Sequence, residues 1–154
     1  MSIEDFKGLM DAFDPASLLP ELDTVVSKIA PIARIAVMVG PVVLLLMGLM
    51  YLFATPKEAN HYLGYRCYYG MGSVEAWRFT QRLAGTVLGA LGLVLSIIML
   101  LVSAGFGKMQ TIDLLWRAVY CMLCQVILVA GSCIAVNIIV ALRFDGKGNP
   151  RNRN

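Results

Sequence analysis

Side chains that could catalyse a reaction or hold a metal ion are few in this sequence. His61 is the single histidine, and Cys67 follows six residues later. A cysteine and an imidazole can act as nucleophile and base, and both can bind a metal. Metal sites generally need three or four ligands, however, and no further histidine or acidic cluster lies nearby in the sequence. The pair therefore predicts neither a catalytic centre nor a metal site.

A second candidate for chemistry is the Cys-x-x-Cys pair formed by Cys121 and Cys124. Such pairs carry redox or metal chemistry in a thioredoxin-like context or beside a second pair. Here the pair lies in an apolar stretch, where small side chains favour helix packing. The chain also has no phosphate-binding loop and no nucleophile elbow. We expect no enzymatic activity, no metal and no cofactor.

Aromatic and arginine side chains gather in one segment, residues 55–82, which we call the aromatic loop. It contains Tyr62, Tyr65, Tyr68, Tyr69, Trp77 and Phe79, interleaved with Arg66, Arg78 and Arg82. Amphipathic rings and guanidinium groups are favoured at a membrane interface, where they reach phosphate or carboxylate groups. The segment is therefore either an interfacial anchor or a surface that recognises a toxin, a lipid headgroup or a partner protein.

Three uncharged apolar stretches surround this loop and must position it. They cover residues 35–54, 83–106 and 118–142, and none contains Asp, Glu, Lys or Arg. At about 1.5 Å of rise per residue, a helix of each length crosses the roughly 30 Å hydrocarbon core of a bilayer. The sequence predicts an all-α, polytopic membrane protein with one three-span domain over residues 32–143. The absence of charge deep in the spans argues against a proton-coupled transporter.

Two amphipathic stretches precede the first span, in residues 1–31. Apolar residues recur at helical spacing over residues 3–13 and again over residues 18–29. Pro15, just before the second stretch, is typical of a first helical turn. Pro31 indicates the end of the second helix or a kink into the first span. We expect these helices to lie at the membrane interface or to dock a partner or a second copy of the chain.

Basic residues are unevenly divided between the two ends of the predicted bundle. The end with the aromatic loop and the C-terminus holds Lys57, Arg66, Arg78, Arg82, Arg143, Lys147, Arg151 and Arg153, whereas the other holds Lys7, Lys28, Arg34, Lys108 and Arg117. Cytoplasmic loops carry the excess of Lys and Arg. The sequence thus predicts a membrane protein with its N-terminus outside and its C-terminus in the cytoplasm. Residues 144–154 are predicted to form a basic, flexible tail because they lack apolar content.

Small residues follow one face of the second span: Gly85, Gly89, Gly92 and Ser96. A helix face without bulky side chains lets two backbones approach, which is how helices associate in lipid. The third span has a comparable strip, which consists of Cys121, Cys124, Gly131 and Ala135. Both strips predict helix packing within one chain or, alternatively, between copies.

Gln125 and Asn137 are the conspicuous polar side chains of the third span. An unpaired amide in hydrocarbon is costly, so both should face another helix or another subunit. As an alternative, they could line a polar path together with Ser132.

A pattern of spaced residues begins in the aromatic loop and ends three residues after it. Its members are Asn60, Gly64, Tyr65, Arg66, Trp77, Thr80, Arg82 and Gly85. In this pattern, over roughly residues 56–85, the chain resembles the SdpI family of bacterial membrane proteins. Cys67 stands where that family usually has Thr, Tyr68 where Pro often follows, and Gln81 where it has His or Asn.

Residue chemistry suggests a role for several members of the pattern. Gly64 would permit a backbone conformation or a close approach that a side chain would block. Arg66 would be held by backbone carbonyls or by Glu75, and Asn60 would close the loop. Trp77 and Arg82 would lie where the second span begins.

The resemblance implies a function as well as a fold. The family's prototype is an immunity protein that protects a producing cell from its own secreted killing factor, and it has six spans. The resemblance therefore implies a protein of the bacterial cytoplasmic (inner) membrane that gives resistance to a membrane-active toxin or antimicrobial peptide, by binding or by sensing. Alternatives are an oligomeric scaffold or accessory subunit of a membrane complex and, more weakly, a small channel or transporter. The expected partners are membrane lipids and proteins, and no nucleic acid.

Overall fold

The structure is a computed structural model that describes residues 15–56 and 63–151, with side chains from Lys28 onward. Three long helices account for most of it: α1 (Pro15–Phe53), α2 (Val74–Ala104) and α3 (Thr111–Arg143). Within these described ranges no strand is present, and each helix contains a segment long and apolar enough to cross a membrane. The prediction of an all-α protein with three transmembrane helices is confirmed.

The helices extend beyond the apolar stretches that predicted them. α1 continues through Pro31, which excludes a helix end there, and a kink stays the alternative prediction. A proline removes one backbone hydrogen bond, but lipid offers no replacement partners for an open backbone, so the helix persists. α2 begins at Val74, and the last part of the aromatic loop is therefore helical. The first amphipathic stretch, residues 3–13, lies outside the described residues.

α1 and α2 approach most closely along the small residues of α2. Gly48 of α1 lies directly against the backbone of Gly89, and a Cβ at Gly48 would collide with it. Gly85 and Gly92 lie against Gly48 and Leu45 in the same way. The small-residue strip of α2 is therefore covered by α1 of the same chain, and packing within the chain is the interpretation that applies.

The corresponding strip on α3 has no such cover. A Cβ at Gly131 would meet no neighbouring atom within 4 Å, and Cys124 and Ala135 are exposed. α3 also buries the smallest share of its span, 17% against 28% for each of the other helices. It packs instead through larger side chains such as Val136 and Val140. At these three positions the α3 strip does not pack within the described chain, so packing between copies is the alternative that stays a prediction there.

Gln125 joins α3 to α1 at a point where α1 lacks one backbone hydrogen bond. Its Nε2 donates a hydrogen bond of 3.0 Å to the carbonyl oxygen of Val37. In a regular helix that carbonyl would accept from residue 41, but Pro41 has no N–H. Gly40 permits the approach, since a Cβ there would lie 2.8 Å from Oε1 of Gln125. The buried amide therefore occupies the acceptor that the proline leaves open.

This pairing predicts a coupling between Gln125 and Pro41. We expect Gln125→Leu to destabilise the fold by about 1–3 kcal/mol, because the Val37 carbonyl would be buried without a partner. In a Pro41→Ala background the same change should cost about 1 kcal/mol less, because the new N–H at position 41 can donate to that carbonyl. Unfolding free energies of the four variants in one detergent measure the coupling. Additive costs would contradict this account.

At the opposite end from the aromatic loop, Arg34 of α1 caps the C-terminus of α2. Its Nε donates to the carbonyl oxygen of Ser103 at 3.0 Å, and Nη2 lies 3.5 Å from that of Ala104. The last carbonyls of a helix have no regular intrahelical partners, and a cation there also complements the helix dipole. Phe106 and Leu114 are fully buried beside this cap, so this end of the bundle has its own apolar cluster.

Candidate functional site

The aromatic loop is folded onto the first turns of α2, and Gln81 is the residue that holds it. This side chain is only 3% exposed. Its Oε1 accepts from the backbone N–H of Tyr65 at 2.8 Å, and its Nε2 donates to the Tyr65 carbonyl at 2.7 Å. One amide therefore satisfies both backbone groups of a loop residue, much as a neighbouring β-strand would.

Trp77 and Gly64 are in close contact within the loop. The Trp77 side chain is fully buried, and its Nε1 donates to the carbonyl oxygen of Pro56 at 3.0 Å. Gly64 has a φ of +116°, and a Cβ there would lie 2.7 Å from Cη2 of Trp77. Gly64 therefore combines a backbone conformation that disfavours side chains with a close approach to the indole. Trp77 lies beneath the loop rather than at a lipid-facing position.

Thr80 lies one turn further along α2, under the 3₁₀ turn Tyr69–Met71. It is fully buried, and its Oγ1 donates to the Ala76 carbonyl at 2.8 Å. Gly70 packs against the Thr80 hydroxyl, and a Cβ on it would also come within 2.8 Å of Sγ of Cys67. Cys67 is thus a half-buried packing residue with a free thiol.

Tyr65 connects the loop to α3. Its hydroxyl is 3.1 Å from the carbonyl oxygen of Cys133 and 3.3 Å from Oδ1 of Asn137. Its ring meets that of Tyr51 edge-on, with centroids 6.2 Å apart. Burial raises the pKa of the Tyr65 phenol, so it stays protonated and can donate. Asn137 therefore pairs with the aromatic loop rather than with another span.

Residues 144–151 fold back on the loop, and we call them the C-terminal turn. Phe144 is 1% exposed and its ring lies 5.6 Å from that of Phe79. The Arg143 guanidinium carbon is 4.4 Å from the centre of the Phe79 ring, a cation–π distance. Ser73 caps α2 by accepting from the N–H of Ala76, and it also donates to the Gly148 carbonyl at 2.7 Å.

The C-terminal turn is stabilised by Asp145 as well. Its Oδ1 accepts from the backbone N–H groups of Lys147 at 2.9 Å and Asn149 at 2.8 Å. These hydrogen bonds, that from Asn149 foremost, lower the pKa of Asp145 below its usual value, so the carboxylate is charged at neutral pH. The prediction of a flexible tail is wrong for residues 144–151, because the aromatic loop supplies the apolar surface that the tail lacks alone. Residues 152–154 lie outside the described part of the chain.

Other predicted residues are placed differently from expectation. Arg66 is exposed, and among the described residues it forms neither the expected ion pair with Glu75 nor a hydrogen bond to a backbone carbonyl. Arg82 is exposed and lines a cavity at the start of α2. Asn60 and His61 lie outside the described residues.

The polar side chains of α3 do not converge on one path. Gln125 and Asn137 line different cavities, and Ser132 donates to the Leu128 carbonyl of its own helix at 2.8 Å. Ser96 of α2 likewise donates to the Gly92 carbonyl, at 2.7 Å. The described residues therefore give no support to a pore lined by these groups.

Three residues of the site have no role in the sequence interpretation: Gln81, Ser73 and Phe144. Gln81 lies four residues after Trp77 and hence on the same helix face, which is a signal that it is buried and needs partners. Ser73 directly precedes a helix, and Phe144 precedes an Asp-Gly turn sequence. Local chemistry signals the cap and the turn, but not their contact with each other.

The amide of Gln81 gives a direct prediction. Gln81→Leu should destabilise the folded loop by about 2–4 kcal/mol, because both backbone groups of Tyr65 would lose their partners while buried. Gln81→Glu should cost less when its carboxyl group is protonated, since it then accepts from the Tyr65 N–H and donates to the Tyr65 carbonyl. Hydrogen exchange at the Tyr65 amide, followed by mass spectrometry in detergent, measures the effect. Equal protection in the wild type and the Leu variant would contradict the assigned role.

Together, the fold and this site define a polytopic helical membrane protein in which a folded aromatic loop joins the first two spans and contacts the third. The model of the SdpI/YfhL protein family matches residues 57–141, which is more than half of the chain. The chain belongs to the SdpI/YfhL protein family, and the resemblance seen in its sequence is confirmed. No curated protein and no solved structure matches the chain significantly.

Proposed function

We propose that this chain is an immunity-type membrane protein that protects its cell from a membrane-active toxin or antimicrobial peptide. The observation that carries the proposal is membership of the SdpI/YfhL family over residues 57–141. The family's prototype acts as an immunity protein, and the match includes most of the aromatic loop and most of the three-span region.

The geometry of the loop supports action by binding or sensing. Its residues contact all three spans: the Tyr65 ring packs against Tyr51 of α1, Gln81 belongs to α2, and the Tyr65 hydroxyl bonds to α3. A ligand that displaced the loop would therefore alter the packing of every helix. A sensor can relay the binding of a ligand through a conformational change of this kind.

Survival of sensitive cells tests the proposal. Cells that express the chain are challenged with a membrane-active killing factor encoded beside its gene, and protection is expected. Trp77→Ala should remove protection, whereas Trp116→Ala, which alters an indole that is 59% exposed, should retain it. Unchanged killing in cells with verified membrane insertion would reject the proposal.

The proposal includes an orientation, with the aromatic loop and the C-terminus in the cytoplasm. The excess of Lys and Arg at that end supports it. A fluorescent protein that matures only in the cytoplasm, fused after Asn154, should be bright. A periplasmic phosphatase fused at the same point should be inactive, and the opposite pair of results would reverse the orientation.

A second candidate is an accessory subunit of a membrane complex, favoured by the uncovered strip at Cys124, Gly131 and Ala135. Gly131→Leu would block a partner helix there. Ala90→Leu is the matched control, because Ala90 is an exposed small residue of α2. A smaller particle in detergent for Gly131→Leu alone would support an assembly role, and an unchanged size would remove it.

A further inference from the structure

A cavity of about 410 Å³ lies between the end of α1 and the first turns of α2. Tyr51 and Thr55 line one wall, while Trp77, Gln81 and two arginines line the other. We call it the arginine pocket, after Arg78 and Arg82. None of its lining residues is among the loop residues that contact the C-terminal turn, such as Phe79 and Ser73.

Three uncharged polar side chains of the pocket wall are already engaged within the chain. Thr55 donates to the Tyr51 carbonyl at 2.9 Å, Trp77 Nε1 donates to Pro56, and the Gln81 amide is used by Tyr65. The charged donors of the pocket are the two guanidinium groups, and the Tyr51 hydroxyl lies on the opposite wall as an uncharged one. This set of donors favours an anionic ligand.

Arg78 and Arg82 are four residues apart on α2, and both are exposed. Like charges at this spacing repel each other. Among the described residues no carboxylate forms an ion pair with either side chain. An anion that accepts from both guanidinium groups would relieve the repulsion, and phosphate matches the planar guanidinium donors best.

The pocket also lies where the first span ends and the second begins, which is where lipid phosphate groups are expected. Leu52 lines it, and Phe53, the last residue of α1, is 83% exposed beside it. Exposed apolar side chains at the end of a span mark the edge of the hydrocarbon, where arginine reaches the headgroups.

We propose that the arginine pocket binds a phosphate group carried by a lipid headgroup or by a soluble phosphate ester. Arg78 and Arg82 donate to the phosphate oxygens, and the apolar side of the pocket at Leu52 lies along the body of the ligand. This binding does not depend on protection from a toxin, so a chain that fails the survival assay can still bind the phosphate group.

Native mass spectrometry of the full chain in detergent tests this site, with phosphatidylglycerol as the probe. The wild type should retain the lipid, and the double variant R78Q/R82Q should bind it about tenfold more weakly. The matched control is K147Q/R151Q, which removes the same charge from exposed residues at the same end. It should change binding by no more than about twofold, since surface charges at a distance contribute little.

Two further measurements complete the test. The variant R78K/R82K keeps the charge but loses the planar donors, and its affinity should fall between those of the wild type and R78Q/R82Q. Glycerol 3-phosphate that displaces the lipid would identify the phosphate ester as sufficient, and failure to displace it would identify a lipid headgroup as the ligand. No retention by the wild type, or equal losses in R78Q/R82Q and K147Q/R151Q, would overturn the proposal.

Discussion

Replacing Trp77 by alanine is expected to destabilise the folded chain by about 3–5 kcal/mol, which is typical of truncating a buried large aromatic side chain. The indole is fully buried, fills the space below Gly64 and donates to the Pro56 carbonyl. Its removal would leave a cavity and an acceptor without its partner. Unfolding free energies in a fixed detergent, titrated with a denaturing one, measure the cost.

Trp116 provides the matched control for this prediction. It is 59% exposed on α3, at the other end of the bundle. Trp116→Ala should change the unfolding free energy by less than about 1 kcal/mol in the same assay. Similar costs for the two substitutions would show that the buried Trp77 indole stabilises the fold no more than an exposed one does.

The second large effect is expected where α1 and α2 touch. Gly48→Ala should cost at least about 2 kcal/mol, because the added methyl group would meet the backbone of Gly89, which cannot move aside as a side chain can. Gly89→Ala should be nearly neutral, since its Cβ would lie 3.6 Å from the Cα of Gly48, an ordinary contact. Alanine also has the higher helix propensity, by about 1 kcal/mol.

Thermal unfolding and particle size of the two variants, measured in the same detergent, test this asymmetry. A lower midpoint for Gly48→Ala, with unchanged particle size, is expected because the contact lies within one chain. If Gly89→Ala were the more damaging change, or if Gly48→Ala altered only the particle size, the assigned helix contact would be wrong.

Predicting the spans from sequence works here for a physical reason. Lipid cannot satisfy open backbone groups, so long uncharged stretches such as residues 83–106 have little choice but to be helical. The same residues do not specify their partners. The strips at Gly89 and Gly131 are chemically alike, yet α1 covers only the first. A close approach of two backbones depends on the crossing of whole helices, which no local pattern contains.

In the candidate site, too, the sequence identifies some residues by their type but not the residues that they contact. Gly64 and Trp77 are recognisable by residue type and spacing, whereas Gln81 looks only like a departure from the family's usual residue. Its importance comes from Tyr65, 16 positions earlier in the chain. The C-terminal turn is missed because composition treats residues 144–151 alone, whereas Phe144 finds its apolar surface on Phe79.

The contacts of the aromatic loop with distant residues set an order of events during synthesis. Tyr65 bonds to a residue 68 positions later, and Ser73 to one 75 positions later. α1 and α2 can insert into the membrane before either partner exists, so the nascent loop remains incomplete until translation reaches the C-terminal turn. A chain interrupted just after Arg143 would thus contain every span and still lack the contacts that complete the loop. The incomplete loop would be a feature by which membrane proteases could recognise the truncated chain.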